Sequence, residues 1–328
     1  MTTAPARTPD LHDATAERAW ATDLAHRLLA NVGSVVRGHD DALRLVACAL
    51  LSGGHVLLED VPGTGKTTLA KAFARSVGAD VARVQATADL LPSDVTGSGV
   101  WDGGSGTFRF VPGPVFAHVL LVDELNRTSP RTQSAFMEAM EEGSVTVDGV
   151  RHALPDPFFV LATQNPFDQH GTFPLPEGQL DRFAVTTRLG GLDRATEARV
   201  VREQLAAPTV DGLAPVASPA DLLRARRAGR AVHVSEPVLE HAVALSHATR
   251  EDPRVALGAS PRATLALVRT AQAHALLADR DFVTPDDTQA VAVPVLAHRL
   301  ALHAGPGAQE AADVVADAVR RVPVALRS

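Results

Sequence analysis

Lysine is almost missing from this chain. Of 31 lysine and arginine side chains only Lys66 and Lys71 are lysines. Cysteine is scarcer still, and a lone Cys48 excludes an internal disulfide framework and fits a reducing compartment. Cys48 lies in the apolar run Leu45–Leu51, so it reads as core rather than nucleophile. No apolar run approaches the roughly 18 residues that span a bilayer. The first residues lack the apolar core of a secretory signal, so a cytoplasmic location is expected. Thirteen histidines are present without His-Glu-x-x-His or a Cys/His cluster, which argues against a zinc site. Most of them read as partly exposed polar residues. A net charge of −7 gives no overall attraction to nucleic acid. What remains is 328 residues, 45% hydrophobic and 21% charged: a soluble globular chain long enough for two domains.

Residues 1–13 are polar with Pro5 and Pro9, and read as a disordered tail. Helical spacing begins at Ala14, with Trp20, Leu24 and Leu28 on one face, and a second helix is expected over Asp40–Leu51. His55–Glu59 reads as a buried strand, followed by a Gly-rich turn and a helix over Thr68–Val77. Further strands, Val81–Gln85, Val119–Val122 and Phe158–Ala162, alternate with helices, which predicts a parallel sheet covered on both faces. Two segments interrupt the alternation. One is a Gly-rich insertion at about 86–118. The other is a hairpin insertion at about 143–157, turning at Asp148-Gly149. The α/β core is expected to span 14–206, with a Pro-rich linker over 207–219 and a helical domain over 220–328.

The retained lysine sits in Gly63-Thr64-Gly65-Lys66-Thr67-Thr68, between a predicted strand and a predicted helix. A Gly-rich turn at a helix N-terminus aims backbone N–H groups at an anion. A compact ammonium reaches phosphate oxygens where a planar guanidinium does not fit freely. Asp60-Val61-Pro62-Gly63-Thr64-Gly65-Lys66-Thr67 nearly matches Gly-x-x-x-x-Gly-Lys-[Ser/Thr], with Asp60 in place of the first glycine. Lys66 is therefore expected on the β- and γ-phosphates of ATP, and Thr67 on Mg2+.

Val119–Val122 runs into Asp123-Glu124. Adjacent acids at the end of a buried strand suit a cation and a catalytic task better than packing. Asp123 reads as part of the Mg2+ shell and Glu124 as the general base for an attacking water. An acidic cap for the helix starting at Ser129-Pro130 is the plainer alternative. Asn165, at the end of the next apolar strand, could bond the water or the γ-phosphate, or form a turn before Pro166. Arg182 could stabilise transition-state charge in a neighbouring copy's site, or pair locally with Asp181 or Glu177. Arg262 follows Ser260-Pro261 in a first helical turn, where a positive charge opposes the helix dipole unless an anion sits there.

In order and spacing, several of these segments resemble the MoxR family of AAA+ ATPases. They are His55–Thr67, Leu90–Gly97, Phe110–Pro114, Asp123–Pro130, Gln133–Glu142, Ala162–Pro166, Gly171–Glu177, Gln179–Phe183 and Gly258–Arg262. The resemblance runs from about residue 15 to about 303. It implies a P-loop αβα core with a parallel sheet, a smaller all-α lid, ATP at the core–lid junction and a ring of copies, usually six. It places Pro62 to Thr68 on the phosphates, and Val36 and Gly38 beside the adenine. Asn165 falls at sensor 1, Arg182 at the arginine finger and Arg262 at sensor 2. It also implies a chaperone-like role toward a protein client, often one with a von Willebrand factor A domain. Ala86 and Phe173 depart from the usual aromatic and Tyr, away from the hydrolytic residues. Two other readings stay open. One is a nucleic-acid motor, for which the insertion hairpins offer only Arg109 and Arg151. The other is a nucleotide-gated scaffold with little turnover.

Overall fold

The computed structural model describes residues 11–60, 63–165, 171–206, 210–305 and 307–324. Helix α1 (Leu11–Gly33) begins three positions before the expected boundary at residue 14, and α2 (Asp40–Ser52) follows. Strand β1 (His55–Glu59) leads through the Gly-rich turn to α3 (Lys66–Ser76) and β2 (Val81–Gln85). The first insertion is a short helix α4 (Pro92–Thr96) with a ribbon of β3 (Gly97–Asp102) and β4 (Thr107–Pro112). Then come β5 (Val119–Asp123), α5 (Pro130–Glu142) and the expected hairpin of β6 (Ser144–Val147) and β7 (Val150–Ala153), turning at Asp148-Gly149. Strand β8 (Phe159–Gln164), the turn α6 (Glu177–Leu180), β9 (Phe183–Thr187) and α7 (Arg194–Ala206) complete the first domain.

The sheet is five-stranded and wholly parallel, in the order β2-β5-β8-β1-β9. Its central strands are buried along nearly their whole length and mostly apolar, because helices cover both faces. The carboxyl ends of β1, β5 and β8 therefore share one edge, where ligands of open α/β sheets bind. The two insertions lean on one another, with Phe110 stacked on His152 at a ring-centroid distance of 3.9 Å.

The lid holds α8 (Pro219–Arg230), α9 (Glu236–Arg250), α10 (Pro261–Leu277), α11 (Pro285–Leu296) and α12 (Ala308–Arg321). The helical reading of 220–328 did not include the short ribbon of β10 (Val255–Leu257) with β11 (Ala301–Leu302). No described helix is long and apolar enough to cross a membrane. One apolar core runs without a break from one face of the sheet through α1, α2 and α3 into the lid, including Phe73, Val46, Leu267, Leu276 and Val291. The other sheet face packs on α5 through a second core containing Phe136, Met137 and Phe183. The lid is also tied by polar groups. Arg299, 3% exposed at its side chain, bonds Asp181 Oδ1 at 2.8 Å and donates to the carbonyl of Phe183 at 2.7 Å. Burial brings its pKa down to about 10, against the opposing pull of Asp181.

Several histidines are more buried than their type suggests, His39, His55 and His241 among them. His55 Nδ1 accepts the Val160 N–H at 3.0 Å, so the ring proton sits on Nε2, 3.1 Å from the Met140 carbonyl. Burial pushes its pKa down to about 4. A depressed histidine pKa means the unfolded chain binds the extra proton first. Its stabilisation is complete above about pH 6.5 and is lost as pH falls through 4, amounting to about 3 kcal/mol. Urea midpoints should therefore drop across that window. His298, depressed by burial and by Arg299, adds to the slope. A His55→Gln chain, less stable at neutral pH, should show a flatter profile between pH 6.5 and 4.

Candidate active site

The turn after β1 needs glycine for conformational reasons. Gly63 and Gly65 have φ of 87° and 90°, and nothing would crowd a Cβ at either position. Their left-handed backbone starts α3 at Lys66 and opens the turn toward solvent. Pro62, expected among the ligand-facing residues, lies outside the described residues. The Lys66 ammonium folds back to the Asp60 carbonyl at 3.0 Å.

Two cavities flank this turn and share Gly63 and Gly65. The larger, about 780 Å³, is lined by Val36, His39, Thr64 and Thr68 on one side and by Gly190, Leu192 and α7 residues Glu197, Val200 and Val201 on the other. Gly38 does not line it but lets the wall close. A Cβ there would lie 2.7 Å from both Leu192 and Thr196, and φ is +74°. The smaller, about 260 Å³, brings together Lys66, Thr67, Asp123, Glu124 and Thr163, with Arg83 and Gln85 from β2. A larger slot with room for a base thus opens beside a smaller one whose Lys66, Thr67, Asp123 and Glu124 suit phosphate and a cation, with an amide-lined bend between them.

Asp60 explains its own departure from glycine. Its carboxylate, buried at the end of β1, accepts the N–H of Leu189 at 2.5 Å and of Gly190 at 3.2 Å. His39 Nδ1 meets the Leu189 carbonyl from the other side at 2.9 Å. The start of the phosphate turn is thereby bonded to the wall of the larger cavity.

Glu124 is held in a strained position. Its φ of 59° is left-handed for a residue with a Cβ. Its N–H donates to Thr163 Oγ1 at 2.9 Å, and its carboxylate pairs with Arg127 at 2.8 Å. Asp123, 10% exposed at its side chain, pairs with Arg83 at 2.7 Å. Asn165 follows the last residue of β8; it does not line the smaller cavity, whereas Thr163, two residues earlier, does.

Arg182 and Arg262 come together at a different place. Both bind Glu141, near the end of α5: Arg182 Nη2 at 2.7 Å from Oε2, and Arg262 Nη1 at 2.9 Å from Oε1. Hydrogen bonding from Arg262, reinforced by both positive charges, holds the Glu141 carboxyl below its ordinary range. Helix α5 starts from the strand ends that carry Asp123 and runs back across the sheet, so Glu141 sits away from the phosphate edge. Asp181 links the same region to the lid through Arg299 and the Ser260 hydroxyl, at 2.8 and 3.0 Å. The described wall facing the phosphate turn is α7, and no lining residue of either cavity comes from 220–328.

The comparisons with known proteins agree with this geometry. A model of the ATPase family associated with various cellular activities (AAA) matches residues 55–185, and an AAA lid domain model matches 247–320. Chaperone MoxR1 of Mycobacterium tuberculosis is 37% identical over 285 residues, covering 84% of this chain and 75% of that protein. Protein MoxR of Methylorubrum extorquens is 32% identical over 308 residues, covering 85% and 88%. The chain belongs to the MoxR family of AAA+ ATPases. Another relative of this MoxR-family chain, the uncharacterized protein YeaC of Bacillus subtilis, is 47% identical over 280 residues, 85% of this chain and 88% of that one. A crystal structure from Cytophaga hutchinsonii, named only as a candidate ATPase, superposes with a TM-score of 0.87 at 34% identity. It covers 96% of this chain and 98% of the other.

Reading the sequence alone missed Asp60 as a strut, Arg83 and Thr163 as cavity residues, α7 as a wall and Glu141 as the partner of both arginines. Arg83 carried a faint signal, as a charge inside a strand that pairs with the Asp123 strand. The others are made by chain segments that meet only on folding.

Proposed function

We propose that this MoxR-family chain hydrolyses ATP to ADP and phosphate with Mg2+, in a closed ring of copies, and uses the cycle to remodel or activate a partner protein. The observation that carries the reading is the convergence of Lys66, Thr67, Asp123 and Glu124 on one cavity, joined through Gly63 and Gly65 to a second that suits the base. In this reading Gly63 to Thr68 hold the phosphates through backbone N–H groups and Lys66, with Val36 and Gly38 on the base side. Pro62 keeps its proposed place at the start of that turn.

Thr67 and Asp123 offer hard oxygen donors on the shared cavity, which suits Mg2+ bound by one protein carboxylate with phosphate and water making up the rest. Among the described residues no cluster of three His, Cys, Asp or Glu could hold a metal by itself, in keeping with a cation that arrives with nucleotide. When bound, the cation neutralises phosphate charge. Glu124 takes the proton of the attacking water, and Asn165 orients that water or the γ-phosphate.

Arg182 and Arg262, away from their own phosphate edge, serve a neighbouring copy's nucleotide, which supports a ring; six copies is the size the resemblance implies. A protein partner is supported by the first insertion. There Trp101 and Phe108 stack edge to face at 5.2 Å and are 57% and 73% exposed. Arg151, one of two arginines a nucleic acid could use on the hairpins, is engaged by Ser144 Oγ at 2.8 Å. A partner with a von Willebrand factor A domain is the class we propose first.

The test is phosphate release from ATP by the purified chain with and without EDTA. Chelation should lower the rate by about 100-fold or more, and added Mg2+ should restore it. Turnover indifferent to EDTA, or none at all from a chain that binds ATP, would count against the proposal.

A further inference from the structure

We infer that Arg83 is a cis contact for the terminal phosphate, exchanging the Asp123 carboxylate for the γ-phosphate when Mg2+-bound ATP enters; this rests on the nucleotide reading above. Three observations carry it. First, Arg83 lies on the edge strand β2 opposite Leu121, yet its side chain leans two residues along to reach Asp123, where Nε meets Oδ2 at 2.7 Å. Its Nη2 donates to Gln85 Oε1 at 3.1 Å, which aims the guanidinium plane at the strand ends. Second, Arg83 and Lys66 are the cationic side chains lining the 260 Å³ cavity, facing Asp123 and Glu124. Third, Arg262, the lid arginine expected to read the nucleotide, is bound to Glu141 elsewhere. Within one chain, Arg83 is the guanidinium that lines the phosphate-side cavity.

The exchange follows from charge. Asp123 is nearly covered, whereas Arg83 is 54% exposed at its side chain and free to swing. A half-exposed pair of this kind is worth little by itself. Once Asp123 faces a divalent cation, a guanidinium on the same carboxylate is repelled. The incoming phosphate oxygens, presented in the same cavity, are an anion able to receive it. A forked donor is suited to that task. ADP brings no γ-phosphate, so Arg83 would contribute to ATP and not to ADP.

The experiment measures fluorescent ATP and ADP analogues binding in Mg2+ to chains carrying Glu124→Gln, so that no turnover intrudes, with and without Arg83→Ala or Arg83→Lys. Loss of one charge-assisted contact should weaken ATP by about tenfold or more while ADP changes by less than about twofold. Arg83→Lys should recover part of the ATP affinity, and melting temperatures should barely move. Equal weakening of both nucleotides would assign Arg83 a merely structural or general electrostatic role and overturn the inference, as would no weakening of either. A Glu124→Gln parent that binds neither nucleotide would overturn the nucleotide reading itself, and this inference with it.

Discussion

Chains carrying Arg182→Ala and chains carrying Lys66→Ala, each inactive alone, are expected to regain phosphate release when mixed. Lys66→Ala removes the ammonium at the phosphate turn, so the chain should not bind ATP, but its Arg182 is intact. Arg182→Ala keeps its own phosphate site and loses the guanidinium it would lend, at a cost of about 10³ in rate. In a randomly mixed ring, sites that pair an intact turn with an intact neighbouring arginine make up roughly a quarter of all interfaces. About that fraction of the unmutated rate should return. The geometry extends the test to Arg262, which shares Glu141 with Arg182. Arg262→Ala should be rescued in the same way. An arginine that acted on its own chain's nucleotide could not be rescued by a Lys66→Ala partner. Assembled mixtures that stay inactive would remove the shared-site account.

Glu124→Gln should leave ATP bound but stall it. General-base catalysis contributes about 10²–10⁴ in rate, and the amide cannot take the proton. Binding should change little, because the residue's backbone is fixed independently of its charge: the left-handed φ of 59° and the N–H bond to Thr163 both survive the substitution. Phosphate release near the unmutated rate would show that the water is activated by another group. The stalled form is also the best bait for a partner, since it should hold the ATP state long enough to be captured with its client.

The contiguous parts of the site are legible from the sequence. Gly63 to Thr67 and Asp123-Glu124 each lie within one strand end and the turn after it, so strand, turn and helix signals place them. The parallel sheet is legible for the same reason, through apolar strands spaced by helices. What folding alone reveals is every pairing across distance. Asp60 reaches the N–H of Leu189, 129 residues on, and no local pattern marks that bond. Glu141 meets Arg182 and Arg262, 41 and 121 positions away. Its place in the helix reads only as one more acid near a helix end. Arg83 becomes meaningful once the register sets β2 against β5. The buried histidines escape for a related reason: His55 is satisfied by backbone groups from β8 and from the end of α5.

The unbroken apolar core that joins sheet, first three helices and lid has a mechanical corollary. Sliding the lid over its own sheet would bare Leu276 and Val291 to water and pull Arg299 from the Phe183 carbonyl, a penalty that grows with every side chain exposed. Each molecule is therefore stiff between its two halves. In the proposed cycle, force from the phosphate end would then reach a client by tilting whole molecules past one another, as staves shift in a barrel, rather than by a jaw opening inside any one of them.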